Sequence, residues 1–175
     1  MKLRLFLVVL AVLALPAVAQ ARDVTFKVHA INEAGVGEAI GIVRLVDGQM
    51  GLRVVPRLRG LPPGDHGFHI HTEPDCGAKP DASGKSIAGL AAGGHWDPDK
   101  AGKHLGPHGA GHKGDLPVLK VAADGTAKSQ ITVRRLKVAD VLNRSLMIHA
   151  GGDNFSDQPA ALGGGGARIA CGVIR

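Results

Sequence analysis

Tyrosine is absent from the 175 residues, tryptophan occurs once (Trp96) and phenylalanine four times. A core built from this chain must be filled by Val, Ile, Leu and Ala. The same scarcity removes the aromatic platforms on which single-stranded nucleic acid stacks. No Lys/Arg stripe makes up for it, so nucleic-acid binding is not expected although the formal charge is +6. Cysteine is rarer still, with Cys76 and Cys171 alone. Neither has a second cysteine nearby, which weakens the reading of a thiolate metal pair. Long helical periodicity is missing too. "KVADVLNRS" is the one candidate helix, and a brief one.

Only the N-terminus carries a long apolar run. "MKLRLFLVVLAVLALPAVAQARD" opens with Lys2 and Arg4, stays apolar from Leu5 to Leu15 and ends in small residues spaced for a signal peptidase. A membrane anchor is the rival reading, but the run is short of the roughly 20 apolar residues a spanning helix needs. No Cys follows it to mark a lipoprotein. Residues 1–21 are therefore expected to be a cleaved signal peptide, cut after Ala19 or Ala21. Residues 22–175 remain as a single exported domain, periplasmic and free of the membrane. Removing Lys2 and Arg4 takes the charge from +6 to +4, a mild excess that suits an anionic substrate. In an oxidising compartment the two cysteines read as one disulfide. Closing so long a loop is worth about 4 to 5 kcal/mol on the chain-entropy account, before strain.

From Asp23 the pattern is strand-like. Val24, Phe26, Val28 and Ala30 alternate with Thr25, Lys27 and His29, the period of a half-buried strand. "EAIGIVRLVDG" and "GLRVVPRLRG" continue it across a tight turn expected at Asp47-Gly48-Gln49. "LPVLKVAADG", "SQITVRR", "SLMIHA" and "ARIACGVI" are further short, β-branched runs. Many short strands imply an all-β sandwich or barrel. Pro56 is expected to place its strand at an edge or a bulge. Two long Gly-rich stretches, 72–114 and 151–166, interrupt the strands, and loops of that length inside a domain call for a functional reason.

Nine histidines are present. In "GFHIH", His69 and His71 stand at i and i+2, which on a strand share one face. A metal can take both, although alternating polar residues on an exposed strand look the same. "GGHWDPDKAGKHLGPHGAGHKGD" adds His95, His104, His112 and Asp115 on a loop able to curl. Three imidazoles and a carboxylate make a closed four-coordinate set suited to zinc; a solvated loop with scattered histidines is the plainer reading. In "SLMIHAGGDN", His149 ends an apolar strand. Asp153 is placed to accept the second N–H of a metal-bound imidazole.

Six motifs, "GFHIH", "GGHWDP", "GKHLGPH", "GHKGDLP", "MIHAGGDN" and "GGGGARIACGVI", occur in an order that resembles the copper/zinc superoxide dismutases of the bacterial exported type, from about Asp23 to Arg175. The resemblance implies a Greek-key barrel or sandwich of about eight antiparallel strands with two long functional loops. It implies one copper per subunit, on His69, His71, His95 and His149, and one zinc, on His95, His104, His112 and Asp115. His95 would bridge the two ions and carry a proton. Asp153 would link His69 to His104, Arg168 would receive superoxide, and Cys76–Cys171 would be the family's intrasubunit disulfide. The implied activity is dismutation of superoxide to dioxygen and hydrogen peroxide by alternating reduction and oxidation of copper, in antioxidant defence of the cell envelope. Oligomeric state is left as monomer or homodimer.

The remaining histidines are expected to be structural (His66), unassigned in the zinc loop (His108) and solvated on the first strand (His29). The loop "NFSDQPAALGGGG" lacks Lys and Glu, which leaves Lys79 and Lys85 as candidates for steering the substrate. A copper and zinc store without turnover is the alternative function. Arg168 argues against it, because a store has no use for an anion-binding cation at the open copper face.

Overall fold

The computed structural model describes residues 22–175; the expected leader lies outside the described residues. Eleven strands follow in order: β1 (Asp23–Asn32), β2 (Gly35–Gly48), β3 (Gly51–Leu58), β4 (Gly64–His66), β5 (Phe68–His71), β6 (Lys79–Pro80), β7 (Ser86–Ile87), β8 (Leu119–Val121), β9 (Ile131–Val133), β10 (Arg144–His149) and β11 (Arg168–Ile174). The brief helix α1 (Val138–Val141) falls within "KVADVLNRS". Seven strands form one antiparallel sheet in the order β5-β10-β11-β1-β2-β3-β9, with β4–β8 and β6–β7 as small separate ribbons. The last strand lies beside the first, and β5 beside β10. These long-range returns give the expected Greek-key barrel.

Two faces of the curled sheet are buried against different things. The inner face holds Val28, Val43, Leu45, Phe68, Ile70, Leu146 and Ile148, all inaccessible to solvent. Each such side chain contributes about 1.5–3 kcal/mol by leaving water, which is how an aliphatic core replaces the missing aromatics. On the outer face Ile31, Met147 and Cys171 pack under the loop carrying Cys76 and Ala92. The loop is anchored there by the Cys76–Cys171 disulfide, whose Cα atoms are 5.7 Å apart.

Four local expectations are corrected. The alternation in β1 holds through Val28, but the β1–β2 register slips at Val28/His29 and again at His29/Ile31. After these irregularities Ile31, not Ala30, is buried, consistent with what bulges do to a strand. His29 sits in this irregularity, partly exposed, with Nδ1 3.0 Å from the Gly37 carbonyl oxygen. Gly48 pairs with Gly51, so the β2–β3 turn is Gln49-Met50 rather than Asp47–Gln49. Gly51 there has φ 125° and no room for a Cβ beside Val133 and Arg134. Finally, Pro56 is neither at an outer edge strand nor at a bulge. It pairs with Val43 on one side, while its other side falls between the β9 pairing, which ends at Val54, and the Leu58–Ala127 bridge. Its missing N–H therefore costs no ladder bond. The long 72–114 stretch is also not structureless, since it holds the β6–β7 ribbon and a 3₁₀ turn at Leu90–Ala92.

Candidate metal centre

Strand β5 sets the site. Its four residues are all buried, with Phe68 and Ile70 in the barrel core and His69 and His71 on the other face. Two distant segments pair against it: Asp115 lies opposite His69 and His95 opposite His71. Ile70 donates its N–H to Gly114 O at 2.9 Å, and Trp96 donates to Ile70 O at 2.8 Å. Both ends of the Gly-rich loop are thus held by strand-like bonds, and the loop between them swings His104 and His112 back. On the other side β10 pairs with β5 and delivers His149.

The donor atoms converge. Those of His69, His71, His95 and His149 lie within 4.8 Å of one another, as do those of His69, His95, His104 and Asp115. His95 Nδ1 is 2.9 Å from Asp115 Oδ1, His104 Nδ1 is 3.0 Å from Oδ2, and His112 Nδ1 is 3.4 Å from Oδ1. The tighter group on the acidic side thus contains His69 where the sequence points to His112. His69 has only one nitrogen to give, because Nε2 is held by Asp153, and so can serve only one of the two groups.

Whether metal ions fit can be judged from the hydrogen bonds. Nine buried side-chain polar atoms make no well-aligned hydrogen bond among the described residues, and seven belong to this cluster: Nδ1 of His69, His104 and His112, Nε2 of His71, His95 and His149, and Oδ2 of Asp115, the His104 and Asp115 atoms facing each other at 3.0 Å. Buried polar groups in native proteins are otherwise paired. The remaining nitrogens explain the choice. His69 Nε2–H donates to Asp153 Oδ2 at 2.8 Å, His71 Nδ1–H to Gly93 O at 2.9 Å, and His149 Nδ1–H to Gly166 O at 3.1 Å. A ring that donates through one nitrogen presents a lone pair on the other. His104 Nε2–H donates to Asp153 Oδ1 at 2.7 Å, so one carboxylate orients a ring in each half. The donor set fits a soft-to-borderline transition ion on the four-imidazole side and zinc on the side with the carboxylate.

Electrostatics divide the same way. Burial holds His69 at about 3, His149 at about 4 and His71 well below its ordinary value. These rings are neutral lone-pair donors at pH 7. Burial also lowers His104, but Asp115 and Asp153 outweigh it and raise the ring to about 9. That half of the site favours a cation.

Arg168 is half-buried beside the four-imidazole group. It donates to Gly89 O at 2.5 Å and Gly93 O at 2.8 Å, and it pairs with His149 across β10–β11. His66 is buried, its nitrogens 2.7 Å from His149 O and 2.8 Å from Pro62 O, the structural role expected of it. His108 is exposed and joins neither group. Lys79 is exposed on β6, whereas Lys85 lies 3.6 Å from Glu33 and is partly neutralised.

Three contributors escaped the sequence reading. Asp157 accepts the His104 backbone N–H at 2.9 Å and the Leu162 N–H at 3.2 Å, joining the two long loops. Gly163, at φ 74°, packs so closely that a Cβ would stand 2.0 Å from Asp153 Oδ1 and 2.8 Å from His104 Nε2. Arg135 reaches into the zinc-type loop, and its neighbour Arg134 is exposed. In "VRRLK" nothing distinguishes the two.

Comparison with known proteins agrees with this geometry. The profile of the family described as copper/zinc superoxide dismutase (SODC) matches residues 39–174. The chain is 50% identical over 173 residues to Superoxide dismutase [Cu-Zn] 2 of Salmonella typhimurium, covering 98% of this chain and 99% of the relative. Among solved structures, the Cu/Zn superoxide dismutase from Brucella abortus superposes with a TM-score of 0.86 at 45% identity, covering 88% of this chain and all of that one. The solution structure of the monomeric enzyme from Salmonella enterica gives 0.79 at 49%, with the same coverage. The chain belongs to the copper/zinc superoxide dismutase family.

Proposed function

We propose that the chain dismutates superoxide with copper held by His69, His71, His95 and His149 and zinc held by His95, His104, His112 and Asp115. The observation that carries this is the set of seven buried nitrogen and oxygen atoms, none with a well-aligned hydrogen bond of its own, gathered around His95. Copper, when bound, would supply a one-electron couple, and zinc, held by His95, His104, His112 and Asp115, would supply a fixed positive charge. The net reaction takes two superoxide anions and two protons to one dioxygen and one hydrogen peroxide.

The residues supply the rest. Arg168 presents a permanent cation whose outward position is fixed by two carbonyl oxygens. It attracts and orients the anion. His95 keeps Nδ1 toward Asp115 and so leaves Nε2 to hold the proton delivered to the product. Asp153 locks His69 and His104 in one arrangement, and burial keeps bulk water from the unexposed sides of the rings.

The disulfide and the leader pattern support an exported, periplasmic protein in which residues 1–21 are removed and residues 22–175 act as one domain, monomeric or as a homodimer. A metal store without turnover is disfavoured by Arg168. The test is electron paramagnetic resonance on copper-loaded protein before and after zinc, together with superoxide consumption. A spectral shift on zinc addition and catalytic loss of superoxide are expected. Copper uptake without turnover would restore the storage reading.

A further inference from the structure

Arg135 stands two residues beyond the end of β9, outside every segment that carries a candidate ligand. Its guanidinium is half-buried and makes four hydrogen bonds, all to backbone carbonyls of one loop. Nη1 donates to Gly109 O at 2.8 Å. Nη2 is shared among His112 O at 2.7 Å, Asp115 O at 3.0 Å and Gly106 O at 3.3 Å. Nε has no partner among the described residues. A partly buried cation is costly unless its setting uses it, and this setting is the concave side of the loop bearing His104, His112 and Asp115.

That loop has little else to shape it. His95 and Asp115 are tied to β5, and His104 is held by Asp153 and Asp157. His112 is tied through its backbone N–H to Lys103 O at 3.0 Å, and its carbonyl accepts from the Asp115 N–H at 3.3 Å and, more closely, from Arg135 at 2.7 Å. The surrounding sequence, "GPHGAGHKGD", has four glycines and a proline, so its backbone has many conformations to lose. A planar fork with several fixed N–H directions can gather converging carbonyls in a way a lysine ammonium cannot.

We propose that Arg135 is a positioning residue for the zinc half of the centre, a guanidinium clamp that sets the curvature of the loop and with it the place of His112 and Asp115. The inference rests on the reading that His95, His104, His112 and Asp115 hold zinc.

The experiment measures zinc affinity by competition with a chromophoric chelator, using purified, disulfide-intact, metal-stripped protein and its Arg135→Gln and Arg135→Lys variants. Loss of partners that orient metal ligands typically weakens metal binding about 10–100-fold, and Arg135→Gln is expected in that range. Arg135→Lys, which keeps the charge and loses the fork, is expected to fall about tenfold, and it decides the matter if Arg135→Gln does not fold. The visible spectrum of cobalt placed in the zinc site should change shape in both variants, while copper affinity changes by less than about threefold. A purely structural role would lower the unfolding midpoint of metal-free and zinc-loaded protein alike; the clamp lowers chiefly that of the zinc-loaded form. Zinc affinity within about twofold of the parent in a folded variant overturns the inference alone. Failure of the parent to bind zinc, or undiminished binding by His104→Ala, overturns it together with the reading it rests on.

Discussion

His71 and Arg168 donate to the same atom, the carbonyl oxygen of Gly93, at 2.9 and 2.8 Å. A ring proposed to hold copper and the cation proposed to meet the substrate are therefore aligned by one peptide. That peptide lies at the end of a loop fastened to β11 by Cys76, so the disulfide is coupled to the position of the arginine.

Replacing both cysteines by serine should lower the unfolding free energy by about 2–5 kcal/mol and slow superoxide consumption more than it lowers copper content. Urea unfolding, metal analysis and activity on the same preparation check this. Parent-like activity per bound copper would show that the loop holds Arg168 without the bridge.

Arg168→Ala should reduce kcat/KM by about 10-fold or more and flatten its dependence on salt, since a charge beside the site raises the encounter rate of an anion. Arg168→Lys should recover part of the loss. Stopped-flow measurements across ionic strengths provide the comparison, with copper occupancy matched.

Asp153 accepts from His69 and His104 through different oxygens. An amide can accept through one oxygen only, so Asp153→Asn must turn an N–H₂ toward one ring N–H. Affinity for at least one metal is expected to fall about 10–100-fold. Gly163→Ala should do similar harm by pushing the carboxylate aside. Chelator competition for each ion separately will show which half suffers.

Acid should destabilise the metal-free protein through rings that fold neutral. Burial holds His69 at about 3 and His149 at about 4, while in the unfolded chain each takes up a proton near 6.5. Their contribution is present above about 6.5 and lost as pH falls through the folded values, at a scale of about 3–5 kcal/mol per ring. His104 has the opposite sign: despite burial it is raised to about 9 by Asp115 and Asp153. Its contribution is present below about 6.5 and lost as pH rises through 9. Urea unfolding of metal-stripped protein at pH 4.5, 7 and 9.5 should give its maximum in the middle. Equal midpoints at pH 4.5 and 7 would contradict it.

Strand periodicity made the all-β class legible, and the i, i+2 spacing of His69 and His71 revealed their common face. The gathering of His95, His104 and His112 was legible only as residue types on a flexible loop, because what bends that loop lies far away in sequence. Arg135 and Asp157 act through backbone atoms, which carry no sequence signature. The failure of alternation after Val28 has a similar origin: a bulge depends on what the neighbouring strand offers, and local pattern cannot express that.

Because β5 is only four residues long and both its sides are enclosed, a slip of the whole strand by one residue would send Phe68 and Ile70 to the coordinating side and the imidazoles into the oily interior. Evolution of this stretch is thereby confined to substitutions at constant length, and engineered peptide tags or spacers belong elsewhere.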